Sequence, residues 1–592
     1  MQSPESTAQL LNRLWRHIGP RRRSQFGLLL VLMVLASLAE ILSIGAVLPF
    51  LGVLTAPDRV YAHQAVQPLI QLLALEEPKD LLLPLTIVFG FAALLAGTLR
   101  LALLWASTRL SFAAGADLSM SIYRRTLYQP YSVHVGRNSS EVISGISKKT
   151  DHIIYNAIMP VLTLISASIL LSMILVALLG VDPFVALATF GGFGTLYGIV
   201  ISLTRKRLQV DGESIAREST HVVKALQEGL GGIRDVLIDG TQPTYCQIYR
   251  DADLALRRAQ GNVIFIAQSP RYGMEAVGML LIATLAYVLA QQPGGVGKVI
   301  PVLGALALGA QRLLPILQQA YSAWSAIGGA QASLQDALGL LEQPLPEYAA
   351  KPPVEPLPFR RHIALKQLSF RYGPQTPWVL KNLDLVIEKG SRMGFIGTTG
   401  TGKSTLLDIV MGLLPPTDGI MQIDGQPITT VNHRAWQAHI AHVPQTIFLA
   451  DGSIEENIAF GVPKDRINPQ RVRAAAQQAQ IADIIETWPE QYKTLVGERG
   501  VRLSGGQRQR VGIARALYKQ ADVIIFDEAT SALDSETEHA VMRAIEGLSV
   551  DLTILIIAHR LSTLKNCTQV VELANCSIKR IGTFQEIITD SA

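Results

Sequence analysis

The sequence predicts an all-α transmembrane domain of six long helices, fused to an α/β domain built around a phosphate-binding loop. Three observations carry this. Hydrophobic residues make up 49% of the chain and charged residues only 17%, with a mean hydropathy of +0.29, too apolar for a soluble protein of ordinary usage. Six apolar runs long enough to cross a bilayer fill the first part of the chain, whereas beyond Leu341 the apolar runs shorten to strand length and alternate with helices. The stretch Gly397-Thr398-Thr399-Gly400-Thr401-Gly402-Lys403-Ser404 then joins the apolar run Met393 to Ile396 to a segment with helical apolar spacing beginning at Thr405. Strand, tight loop and helix in that order form a phosphate cradle. At 592 residues the chain is also too long for one core.

The six runs are Phe26 to Leu54, Leu81 to Ala106, Ala157 to Gly180, Pro183 to Leu203, Tyr272 to Ala290 and Val299 to Ile327. Six spans put both termini on one side. The segment from Arg109 to Lys149 holds Arg124, Arg125, Arg137 and Lys148, and that from Arg205 to Arg258 holds seven further basic residues, whereas the opposite loops offer Arg59, Lys79 and Lys298. The basic side is the cytosolic one, so both termini are expected inside. The net charge of +5 is small for this length and gives no nucleic-acid footprint. Cys246, Cys567 and Cys576 lack metal-ligand spacing and are expected as reduced thiols. No removable signal peptide is expected before Phe26.

The two cytosolic segments read as helices continuing out of the membrane, with breaks near 130–140 and 239–245 that suggest docking elbows. Between the first two spans, Val66, Leu69, Ile70 and Leu73 recur at helical spacing, which predicts a short amphipathic helix near 64–76 lying along the outer interface. Glu40, Arg100, Arg271, Glu275 and Arg312 fall inside spans. A charge at the bilayer centre costs about 3 kcal/mol on insertion scales, so such groups face a cavity or a partner. Arg100, Arg271 and Arg312 could line one basic cavity for an anionic substrate group. The alternative is internal pairing, Arg271 with Glu275 one turn on, or Glu40 with one of the arginines.

The first domain is thus expected over 1–343, a proline-rich linker over 344–360 and the α/β domain over 361–592. In the latter, the glycines let backbone N–H groups turn inward and the helix N-terminus adds positive potential. Lys403 would reach the β- and γ-phosphates, and the Ser404 hydroxyl, followed by Thr405, would sit on Mg²⁺. Tyr372 could stack on an adenine ring. Val523 to Phe526 is a buried strand ending in Asp527, suited to Mg²⁺, and Glu528, suited to a general base that polarises the attacking water. ATP and Mg²⁺ are therefore the expected ligands.

With Leu503-Ser504-Gly505-Gly506-Gln507 standing between loop and strand, the sequence closely resembles the ATP-binding cassette family, over essentially its whole length. The resemblance implies an ATPase in which Ser504, Gly505, Gly506 and Gln507 cover the γ-phosphate bound to a second copy. It assigns Gln445 to the loop that senses the γ-phosphate and the metal, Ser531-Ala-Leu-Asp534 to the dimer-crossing loop, and His559 to the catalytic switch. Val496-Gly-Glu498-Arg499-Gly500 resembles the segment that exporters use to contact the cytosolic elbows. One six-span domain with one cassette is half a transporter, so a homodimer in a bacterial inner membrane is implied.

Within exporters, the external helix, the stretch Gly232 to Gly240, and Ser269-Pro270-Arg271-Tyr272 with Arg312-Leu-Leu-Pro315 resemble the lipid-linked oligosaccharide flippases of bacterial protein N-glycosylation. That resemblance implies a polyprenyl-diphosphate glycan or related glycolipid as substrate, engaged by Arg100, Arg271 and Arg312. The alternatives are an exporter of lipid A-type lipids, hydrophobic drugs or peptides, in which the arginines form structural pairs, and, more distantly, an ATP-gated channel or regulator.

Overall fold

An amphipathic helix, Thr7–His17, precedes the first apolar run in the computed structural model, which describes residues 5–55, 57–62, 66–67, 70–71, 75–181, 183–290, 296–350, 355–528, 535–546, 551–558 and 564–589. Ser6 caps it through a box in which its hydroxyl accepts from the Gln9 N–H while the Gln9 side chain accepts from the Ser6 N–H. Leu10 and Leu14 are buried against Leu334, Leu338 and Leu341 of the helix Gln331–Leu341. Arg13 bonds Glu342 at 2.9 Å, tying the helix to the end of that segment. Two compact units divide the chain, residues 1–129 with 137–345, and residues 130–136 with 346–592.

In the first unit, three helical stretches among the described residues are long and apolar enough to cross a membrane, Pro20–Leu54, Pro78–Leu127 and Ser139–Gly180. The other three apolar runs fall on the helices Pro183–Gly231, Gln242–Ala290 and Val296–Gly329. Helices of 46 and 49 residues, such as Leu82–Leu127 and Pro183–Gly231, run about 70 Å, more than twice the ~30 Å hydrocarbon core. Each is long enough to supply the arms that the sequence leads one to expect beyond the membrane. The first arm ends at Tyr128 and is followed by the short helix Tyr131–Gly136; the second is broken by Gly240, whose φ of +64° suits a residue without Cβ. Of the amphipathic helix expected near 64–76, residues 63–65, 68–69 and 72–74, including Leu69 and Leu73, lie outside the described residues. Ile70 is buried beside Val53, Leu81 and Leu85, with Val66 packed on the same cluster.

Packing in the first unit is closest where side chains are smallest. A Cβ on Gly212 would lie 2.5 Å from the Gly329 carbonyl oxygen, so the helices Pro183–Gly231 and Val296–Gly329 meet backbone to backbone there. Asp211 next to it is buried and accepts from Asn262 at 3.2 Å and Arg207 at 3.2 Å. Pro270 sits inside the helix Gln242–Ala290, where it removes a donor from the ladder. In the turn before the proline, Gln318 Nε2 and Ser322 Oγ of the neighbouring helix both donate to the Ala267 carbonyl at 2.9 Å, beside the Ile266 carbonyl whose ladder donor the proline removes.

In the second unit, β1 (His362–Phe370), β2 (Leu380–Glu388), β4 (Asp418–Ile423) and β5 (Gln426–Pro427) form an antiparallel sheet in the order β2-β1-β4-β5. The larger sheet runs β10-β9-β3-β8-β7-β6, from β3 (Arg392–Ile396), β6 (Ile440–Val443), β7 (Val523–Asp527), β8 (Thr553–Ile557), β9 (Gln569–Ala574) and β10 (Ser577–Gly582). The β9-β3-β8-β7-β6 part is parallel. Its strands are buried on both faces and read as near-continuous apolar runs, as parallel sheets do. The expected linker 344–360 is not all linker. Leu357 and Phe359 are buried in the cassette core, Phe359 edge-on to Trp436, because Asp424 accepts the N–H groups of Arg361 and His362 at 2.8 and 2.9 Å and draws this segment onto the sheet.

Candidate functional site

Parallel strands deliver their C-terminal ends to one edge of a sheet, and that edge is where an open α/β fold binds ligand. Here β3 leads directly into Gly397, β7 ends in Asp527, and β6 stops two residues before Gln445. β8, between β3 and β7, ends two residues before His559, which lies outside the described residues together with Ser531 and Asp534.

The loop after β3 requires glycine at its start. Gly397 has φ +148°, and a Cβ there would lie 2.4 Å from the Leu573 carbonyl oxygen. Gly402, at φ +91°, forms the N-cap of the helix Lys403–Val410, so the helix N-terminus opens at the loop. Lys403 is buried and its ammonium donates to the carbonyls of Gly397 and Thr398 at 2.7 and 3.1 Å, while Thr401 Oγ1 donates to the Thr398 carbonyl at 2.9 Å. Thr399 and Gly400 are exposed at the loop tip. A buried cation resting on its own loop carbonyls is held ready for a stronger, anionic partner.

Asp527 and Glu528 divide along the end of β7. Burial pushes the Asp527 carboxyl up, and the Ser404 hydroxyl, which donates to it, and the Lys403 charge pull it back down. Glu528 has left the strand conformation: its φ is +51°, and its N–H donates to the Ile557 carbonyl at 3.0 Å. A left-handed non-glycine residue costs about 1 kcal/mol or more, the kind of strain that collects at working sites. The turn presents the carboxylate to Gln445, whose Nε2 donates to Glu528 Oε2 at 2.7 Å. Tyr372, two residues beyond β1, bonds Thr405 through its hydroxyl at 3.1 Å and is 53% exposed as a residue, which suits a side chain that could stack on a base. Thus loop, Asp527, Glu528, Gln445 and Tyr372 come together.

Ser504 to Gln507 form a separate feature. Ser504 caps the helix Gly505–Lys519, accepting from the Gln507 N–H at 3.2 Å while the Gln507 side chain accepts from the Ser504 N–H at 2.8 Å. Ser504 and Gly505 are exposed, leaving a helix N-terminus turned to solvent.

Sequence reading passed over Asp408, one helical turn beyond Ser404. Burial and the neighbouring Asp527 push its carboxyl up to about 6. An acidic residue within an otherwise apolar helix face next to a phosphate loop was the signal available.

Of the three membrane arginines, Arg100 pairs with the buried Glu40 of the preceding span, and Arg271 Nε donates to Glu275 Oε1 at 2.8 Å. The side chain of Arg312 lies outside the described residues. Both described arginines therefore take carboxylate partners, as the pairing alternative expects.

Residues 380–531 match the ABC transporter family and residues 26–296 the ABC transporter transmembrane region. The chain is 29% identical to the ATP-dependent lipid A-core flippase of Alkalilimnicola ehrlichii over 80% of both chains. It is 31% identical to the flippase of the same name from Thiobacillus denitrificans, over 66% of this chain and 67% of that one. A solved bacterial Atm1-family ABC exporter with ATP bound superposes with a TM-score of 0.76 across 94% of this chain and 96% of that one; at 24% identity this likeness speaks for the fold alone. Joined to the site at the ends of β3, β6 and β7, these matches settle the family: the chain belongs to the ABC transporters, as an exporter-type half-transporter whose ATPase is coupled to transport.

Proposed function

We propose that this protein works as a homodimer in the bacterial inner membrane, with both termini cytosolic, and flips an anionic glycolipid of the lipid A-core type at the expense of ATP. Six spans per copy, over 1–343, would form the path. The observation that carries the substrate choice is the alignment with a lipid A-core flippase along four-fifths of both chains. The Arg100–Glu40 and Arg271–Glu275 pairs support it, since paired arginines serve as structure in that reading. A polyprenyl-diphosphate glycan is the second reading, favoured by Ser269-Pro270-Arg271-Tyr272 and by a role for Arg100, Arg271 and Arg312 at the pyrophosphate.

In the cassette, Glu528 acts as general base on the attacking water, with Gln445 and His559 completing the catalytic set. Gly397 to Thr405 hold the phosphates and Tyr372 the base, while Asp534 and Ser504 to Gln507 of the second copy close the pocket. The oxygen donors of Ser404, Asp527 and Gln445 fit Mg²⁺, which when bound neutralises charge on the β- and γ-phosphate oxygens. The elbows near 130–140 and 239–245 carry closure of the cassettes to the spans.

Proteoliposomes holding the purified protein test both levels. E528Q is expected to lower ATP turnover by about 10²-fold or more. ATP-dependent translocation of a labelled lipid A-core lipid, but not of a polyprenyl-diphosphate glycan, supports the first reading. The reverse preference, lost in R100A, R271A or R312A, replaces it with the second.

A further inference from the structure

The loop that carries Gln445 is gripped from the helix Gly505–Lys519 at two positions one turn apart. Arg515 is the stronger grip. Its Nη1 donates to the Phe448 carbonyl at 3.0 Å, three residues beyond Gln445, while Nε and Nη2 donate to the Asn457 carbonyl and side-chain oxygen at 2.9 and 3.3 Å. Asn457, fully buried, in turn bonds both the N–H and the carbonyl of Ala450 at 2.9 and 3.0 Å, so the far end of the same loop is held by the residue that Arg515 holds. The guanidinium lies 4.5 Å from the Phe460 ring centroid. Gly512 is the second grip: Ile447 packs so close that a Cβ at 512 would lie 2.5 Å from its Cδ1.

All three oxygens that Arg515 meets here are uncharged. Burying a cation among carbonyls is costly, and burial pushes this guanidinium down to about 10. What the chain gains is geometry, because a rigid fork reaches separate oxygens in fixed directions and an ammonium cannot.

We propose that Arg515 is a positioning residue for ATP hydrolysis: it fastens the Gln445 loop to the helix whose N-terminus is Ser504-Gly505-Gly506. A shift of that helix, as when its N-terminus engages the γ-phosphate on a second copy, then carries the Gln445 amide with it and alters its 2.7 Å bond to Glu528. Base orientation and closure of the pocket become one event. Leu449 extends the linkage to the exporter segment, since a Cβ on Gly500 would lie 2.6 Å from its Cδ1. The inference rests on Glu528 as the base and Gln445 as its partner.

The test uses the full-length protein in lipid and measures kcat and KM for ATP, together with the melting temperature, for the parent, R515K, G512A and E528Q. R515K keeps the charge and loses the fork. It is expected to lower kcat about tenfold or more while KM stays within about twofold, because the phosphate loop and Tyr372 are untouched. G512A, which presses on Ile447 without touching Arg515, is expected to lower kcat in the same direction and decides the matter if R515K folds poorly. A parent-like kcat in R515K overturns the proposal, and so does a joint fall of kcat, KM and melting temperature, the mark of a purely structural arginine. If E528Q is inactive while R515K is parent-like, only the role of Arg515 fails; if E528Q turns over ATP like the parent, the base assignment fails and this inference falls with it.

Discussion

His442 shows how one side chain in the catalytic sheet sets a pH limit. It lies on β6, three residues before Gln445, and its buried Nε2 finds no hydrogen-bond partner among the described residues. Burial pushes the imidazole down to about 4 from its ordinary 6.5. The folded chain therefore holds fewer protons here than the unfolded chain between those values. Stability is fully present above pH 6.5 and is lost as pH falls toward 4. H442M removes both the stranded nitrogen and the titration, so it is expected to gain about 1 kcal/mol at pH 7 and more at pH 5. Melting curves across pH 4–7 check this; a parent and variant that fall in parallel would contradict it. Arg515 belongs at the same scale. Its sequence context, a helix with basic and apolar residues interleaved, gives no hint that its acceptors are uncharged oxygens of distant segments.

Between elements, close approach is where the first unit is least tolerant. Gly212 faces the Gly329 carbonyl rather than a side chain, and a carbonyl in a helix cannot rotate away. G212A must separate the helices Pro183–Gly231 and Val296–Gly329, and is expected to cost about 1–3 kcal/mol, read as a fall in the melting temperature of the detergent-solubilised protein. G198A, where nothing lies within 4 Å, should be neutral to slightly stabilising and serves as its control. The Pro270 site illustrates the complementary device. The turn before the proline is tied to another helix by Gln318 and Ser322, which both bond the Ala267 carbonyl. The helix Thr7–His17 was open to prediction from Ser6 and Gln9, which match the capping box.

For the molecule as a whole, the proposed homodimer makes the exposed Ser504 helix N-terminus and the phosphate loop two halves of one site. A mixed dimer tests this. With K403A on one copy and G505D on the other, one pocket combines both lesions and the second combines neither, so ATPase of about half the parent rate is expected. Each variant alone, as a homodimer, should be inactive. Loss of activity in the mixed dimer as well would mean that both pockets must fire, and full activity in either homodimer would refute the shared site.

The sequence by itself determined what local chemistry determines. Gly397 to Ser404, Asp527, Glu528 and the signature at Ser504 are short motifs whose residue types follow from phosphate, metal and helix-terminus physics, and the apolar runs follow from bilayer thickness. Only the tertiary structure decided which partners the ionisable groups take. Arg100 with Glu40, Arg515 with Phe448 and Asn457, and Gln445 with Glu528 join residues 58 to 83 apart in the chain. Spacing in sequence carries no information about such pairs, because electrostatics and packing act through space.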